Sequence, residues 1–172
     1  MANPKLSAIS TDDPPVTVEE AKSYCRLFDD SHNTNLALMI DAAVELIESE
    51  LRENLRPTRY RWSGTAGQWN RFPEWPVQEI HSISCDEADQ DLDDYSVDDS
   101  VQPPLLVGTL TGSVVIEWTA GLAILPAARK LLVLAMVAEF RRNPEAASNG
   151  NQLSAPIQRL LQSQKSEYDA VR

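Results

Sequence analysis

The spacing of apolar residues changes several times along this chain, and each change marks a new element. Leu36, Ile40, Ala43, Val44, Ile47 and Leu51 recur at helical intervals, with Asp41, Glu45, Glu48 and Glu53 on the other side. This one-sided stripe predicts a long amphipathic helix that begins at Asn33 or Thr34 and stops by Pro57. Ahead of it, Thr17-Val-Glu-Glu20 has the form of a capping box, in which the Thr17 hydroxyl accepts the Glu20 amide and the Glu20 carboxylate reaches back. It opens a short helix through about Leu27, with Val18, Ala21, Tyr24 and Cys25 at helical spacing, before Asp29-Asp30-Ser31 breaks it. Residues 1–15 hold three prolines and little apolar content, which predicts an extended arm.

From Arg59 to Asp99 the period drops to two. Arg59 to Trp62 alternates, and Gly64 and Gly67 then mark a loop. Val77 to Cys85 reads as a strand with His81, Ile83 and Cys85 on one face. Asp86 to Asp99 carries eight acids and no base, and reads as a hairpin turn with a short return strand. Leu105 to Val107 and Ser113 to Thr119 are further strands. In the latter, Val114, Ile116, Trp118 and Ala120 fall on one face and Val115, Glu117 and Thr119 on the other. Pro126 suits the first turn of an apolar helix that runs to Arg142 and is expected to be the most buried element. Glu145 to Ser154, polar and with Asn149-Gly150, predicts a flexible linker, and a last amphipathic helix starts near Pro156.

The pattern predicts an α+β protein that is mainly a bundle of three to four helices packed on a small antiparallel sheet or hairpin. The expected organisation is an arm at 1–15, a core domain at 16–142, a linker at 143–155 and a C-terminal helix or tail at 156–172.

Composition narrows the function. The longest apolar run, Leu131 to Ala138, has eight residues, far short of the roughly 20 of a membrane span, so no membrane partner is expected. The N-terminus lacks a hydrophobic signal region, which predicts a chain that stays in the cytoplasm. Cys25 and Cys85 form no CxxC pair and read as reduced, packed thiols. The net charge of −11 is uneven: residues 1–125 carry 8 basic against 22 acidic side chains, and residues 126–172 carry 7 against 4. An acidic body opposes tight binding of duplex DNA, which needs clustered Lys and Arg.

No chemistry stands out. His32 and His81, the only histidines, have no nucleophile in a recognisable setting, and no P-loop or zinc-protease motif occurs. Asp89 to Ser100 begins like a calcium loop but has Asp94 where glycine is required and Ser100 where glutamate is required. The tryptophans Trp62, Trp69, Trp75 and Trp118 lack the interleaved basic residues of a base-stacking surface. Catalytic residues, cofactors and metals are therefore all expected to be absent, and the chain is expected to be no enzyme.

Six phrases, in order and spacing, carry a resemblance. "VTVEEAKSYCRL" and "LALMIDAAVELIESEL" resemble the first two helices of the head–tail connector (adaptor) proteins of long-tailed phages, prophages and phage-like particles. "FPEWPVQEIHSIS", "LDDYSVD" and "VVIEWTAGL" are similar to that family's strand entry, post-turn tyrosine and aromatic-x-Ala-Gly strand end. "PAARKLLVLAMVAEFRRNPEA" resembles its long helix. The resemblance runs from about Val16 to Leu161. The polar Gly64–Gln68 stretch and a C-terminus without an arginine-rich close depart from it.

The resemblance implies a structural virion protein that joins head to tail and extends the DNA channel. Its location would be the virion neck, after assembly in the host cytoplasm. Implied partners are the portal protein, neighbouring copies in a ring expected to be twelve-fold, a stopper or tail-completion protein, and passing DNA held without tight binding. An acidic lumen would let that DNA slide. Alternatives are a neck stopper or tail-completion protein, or a packaging factor that binds DNA directly. Within this frame Gly121 permits a sharp turn, and Trp118 and the Pro126 helix are expected to lock sheet to helices. The expected portal contact is the C-terminal segment, through Ile157, Arg159, Leu160, Leu161, Lys165, Tyr168 and Arg172. That segment is too short to be stable without a packing surface and lies in the net-positive part of the chain.

Overall fold

Alternation along Ser113–Ala120 builds the centre of a five-stranded antiparallel sheet. The computed structural model describes residues 4–11, 14–69, 71–144 and 153–169, the last five of these by backbone alone. In chain order the elements are β1 (Lys5–Thr11), α1 (Val18–Cys25), α2 (Asn33–Leu51), β2 (Thr58–Thr65), β3 (Val77–Cys85), β4 (Ala88–Asp89), β5 (Ser96–Asp98), β6 (Leu105–Val107), β7 (Ser113–Ala120), α3 (Ala127–Arg142) and α4 (Ala155–Asp169). They fall into two units, each assembled from two stretches of chain. A sheet unit takes Met1–Asp13 and Glu53–Ala123, and a helical unit takes Pro14–Arg52 and Ile124–Arg172.

In the sheet unit the strand order is β1-β2-β7-β3-β4, and β5 pairs with β6 in a second, two-stranded sheet. On β7 the inward residues Val114, Ile116, Trp118 and Ala120 are fully buried, and their neighbours Val115, Glu117 and Thr119 are half-buried on the other face. Trp62, Phe72, Ile83, Cys85 and Leu106 complete this core. The acidic turn is a two-residue hairpin: Cys85 pairs with Ala88, and Asp86 and Glu87 both have positive φ, 51° and 66°. The Asp86 carboxylate accepts the Ser113 amide at 2.8 Å and so ties this turn to the start of β7. Beyond the turn, Tyr95 packs against the core and its hydroxyl donates to the Thr109 carbonyl at 2.9 Å.

In the helical unit, all six residues of the α2 stripe are buried. The Thr17–Glu20 capping box forms in both directions, at 3.2 and 3.0 Å. Both early helices end on an arginine in the left-handed conformation, Arg26 after α1 and Arg52 after α2. No glycine marks either stop; α1, expected through about Leu27, ends at Cys25, and α2 ends at Leu51, the last residue of its stripe and ahead of Pro57. On α3, Pro126 is the N-cap residue. The helix buries Leu132, Val133, Met136, Val137 and Phe140 on one side and leaves Leu131 exposed on another.

The balance of the fold differs from the bundle-with-hairpin expectation. Four helices and seven strands stand among the described residues, 39% helix against 27% strand, and the five-stranded sheet carries a core of its own. The physical reason lies in two places. Lys5–Thr11, although short of apolar residues, is held as an edge strand by backbone pairing to β2, and β2 runs on through Gly64 to Thr65 where two glycines suggested a loop. The linker expected at 143–155 lies mostly outside the described residues.

Candidate functional site

Two of the junction candidates, Trp118 and Gly121, stand where strand β7 ends. The Trp118 ring is fully buried against Tyr60, Trp69 and Phe72, with ring centroids 5.7, 5.8 and 5.4 Å away. Its indole N–H donates to the Glu74 carbonyl at 3.2 Å. These partners all belong to the sheet unit, so Trp118 is the hub of an aromatic cluster there. Gly121 has φ +128°, and a Cβ at this position would sit 2.2 Å from the Arg56 carbonyl oxygen. Its own amide donates to the Pro76 carbonyl and its carbonyl accepts from Gln78, each at 2.8 Å. Conformation and close approach both demand glycine. Pro126 belongs to the helical unit.

The opposite face of the sheet is polar. Glu117 accepts from Arg59 at 2.7 Å and lies 3.0 Å from Arg61, two cross-strand ion pairs that leave both arginines substantially exposed. His81 Nε2 lies 2.7 Å from Thr119 Oγ1. Strict alternation would place His81 with Ile83 and Cys85, but a register shift between Ile80 and Ser82 turns it to the polar face and sends Ile80 inward. Ser10, Pro57, Arg59, Gln78, Glu79, His81, Thr119 and Ala123 line an open cleft of about 410 Å³ on the sheet unit. The pairing across this face is not legible in the sequence, because its ion pairs join residues 58 and 56 positions apart.

No group of three metal-ligating side chains comes together among the described residues. In the acidic turn Asp91 and Asp98 each accept the backbone amide two residues on, which is ordinary turn chemistry, and Asp86 accepts that of Ser113 at the start of β7.

Charge divides between the units. The sheet unit holds 5 basic and 14 acidic residues and the helical unit 10 and 12, so most of the net −11 lies with the sheet. In the helical unit, Glu20 bonds Lys130 as well as its own capping partner. The Lys130 ammonium, and next the Thr17 amide, hold the Glu20 carboxyl below the usual glutamate range.

The C-terminal candidates are split by α4. Ile157 and Leu161 are buried together with Leu153, whereas Arg159 and Leu160 are exposed. Ser154, just before the helix, donates its amide and its hydroxyl to the Glu139 carboxylate, each at 3.1 Å, so α3 anchors the start of α4. Lys165 and Tyr168 lie on the helical backbone with side chains outside the described residues, and Arg172 lies outside them altogether.

No protein-family model and no curated protein matches the chain. Solved structures do. A chain of the virion of a native gene transfer agent (GTA) particle matches with a TM-score of 0.71 at 18% identity, over 92% of this chain and 93% of that one. A chain of the neck of an empty GTA particle, computed with C6 symmetry, gives 0.65 at 21% identity over 80% and 84%. A chain of the neck of the native GTA particle, computed with C12 symmetry, gives 0.60 at 20% over 80% and 83%. Over 92% of its length for the virion chain and 80% for the neck chains, then, this protein shares its fold with chains of a phage-like particle.

Proposed function

We propose that this chain is a structural protein of a phage-like neck, a head–tail connector that forms a ring beneath the portal and extends the DNA channel. The observation that carries the reading is the likeness to a GTA virion chain over 92% of this sequence. The C6 and C12 symmetry of the matching neck structures supports a closed ring of identical copies. A ring of this kind needs a heterologous contact that closes, and it needs no catalytic group. The acids of the sheet unit suit the channel side, where like charge keeps passing DNA from sticking.

The portal contact is assigned to the exposed side of α4, through Arg159 and Leu160, with Lys165, Tyr168 and Arg172 continuing the same C-terminal segment. Ile157 and Leu161 serve by seating that helix on its own unit. A mass-photometry titration of the full chain with the portal of its own particle tests this. Wild type should form a portal complex, and Arg159→Glu with Leu160→Asp should abolish it while circular dichroism is unchanged. Wild-type affinity in the double variant would move the contact elsewhere. The DNA-packaging alternative predicts sub-micromolar affinity for duplex DNA, whereas the connector reading predicts about 10⁻⁴ M or weaker at physiological salt.

A further inference from the structure

β1 is held to its sheet mainly by its backbone. It is one of the two edge strands, and it meets the sheet only along β2, in register from Lys5–Ser63 to Thr11–Thr58 with a bulge at Ile9. Six of its seven side chains are exposed, among them Leu6 at 38% and Ile9 at 49%. Its attachment is therefore a backbone ladder with little apolar burial behind it. The ladder is indifferent to which copy of the chain supplies the strand, because the same hydrogen bonds form either way.

The connection favours exchange. β1 belongs to the sheet unit, but the residues that follow it, from Pro14, belong to the helical unit, and the sheet unit resumes only at Glu53. Between β1 and α1 lies Asp12-Asp13-Pro14-Pro15. A Pro-Pro pair restricts the backbone and disfavours helix, so this stretch serves as a spacer between β1 and α1.

We propose that β1 is an exchangeable strand: within the assembled ring, residues 5–11 of one copy pair with β2 of the next copy. The inference rests on the ring reading above and adds the device that links one subunit to another. Passed from copy to copy in one direction, the exchange closes a ring of any symmetry and needs no two-fold axis. A dilute monomer keeps its own β1, and the ring trades it.

Cross-strand cysteines test this in the full chain. Lys5→Cys with Ser63→Cys joins a registered β1–β2 pair, in a background of Cys25→Ser and Cys85→Ala; Ser7→Cys with Arg61→Cys is a second pair should the first disturb folding. The chain is oxidised alone at low concentration and again after assembly on its portal, with mass photometry reporting the oligomer. The expected result is cross-linked monomer from the dilute sample and a ladder of covalent multimers from the ring. Mixing the two single-cysteine chains should give covalent pairs only after assembly. Rings whose cross-links stay within single chains would overturn the exchange and leave the ring reading standing. Failure of the wild-type chain to form any ring would overturn both.

Discussion

Replacing Trp118 by alanine strikes the centre of the sheet unit. The side chain is fully buried, contacts three other aromatic rings and donates a hydrogen bond to Glu74. Burying a tryptophan removes roughly 150–250 Å² from water, which at about 25 cal/mol per Å² is ~4–6 kcal/mol. Measured Trp→Ala losses of roughly 3–5 kcal/mol agree. Taking about 4 kcal/mol, a domain of this size should lose ~8–16 °C in Tm. Trp118→Phe keeps most of the contact and gives up the indole N–H, so it should cost about 1 kcal/mol from that bond plus a smaller packing loss. All four tryptophans lie in the sheet unit, so denaturation followed by tryptophan fluorescence reports that unit, with three reporters left in the variant. Far-ultraviolet circular dichroism follows the helices in parallel. A Trp118→Ala midpoint within about a degree of wild type would refute the cluster as the support of the sheet.

Other perturbations probe the remaining supports. Gly121→Ala forces a Cβ against the Arg56 carbonyl at positive φ, and should destabilise the sheet unit by at least about 1 kcal/mol in a urea melt. Glu20, held below its ordinary pKa by Lys130 and Thr17, contributes stability that is present above the usual glutamate range and lost as pH falls through its lowered folded value. Lys130→Met should therefore flatten the acid limb of a stability-versus-pH curve; an unchanged acid limb would dismiss the pair. Truncation after Ser154 removes buried Ile157 and Leu161, so the helical unit should lose stability, and a melt matching full length would show that α4 is not seated.

What the sequence disclosed follows from which interactions are local. The α2 stripe, the Thr17–Glu20 box and the alternation of β7 are set by neighbours a few residues apart, and all can be read directly. The edge strand β1 cannot, because it buries almost nothing and is held by a partner more than 45 residues away. The His81 face was hidden by a bulge that shifts alternation by one residue. The helix end at Arg26 was hidden because arginine occupies a conformation that glycine usually announces. For the C-terminal segment, spacing gave an apolar stripe of Ile157, Leu160, Leu161 and Tyr168, without showing which of them pack inward. Only the fold shows that Ile157 and Leu161 face inward while Arg159 and Leu160 face out.

The proposed connector role requires that copies of this chain form a closed ring at the portal. Native mass spectrometry of the full-length protein mixed with its cognate portal measures this directly, since each 19.1 kDa copy is counted in the complex. A connector ring should give one dominant species with twelve copies of this chain per portal ring. A chain that stays monomeric beside an intact portal, or that binds as a single copy or a two-fold dimer, would contradict it.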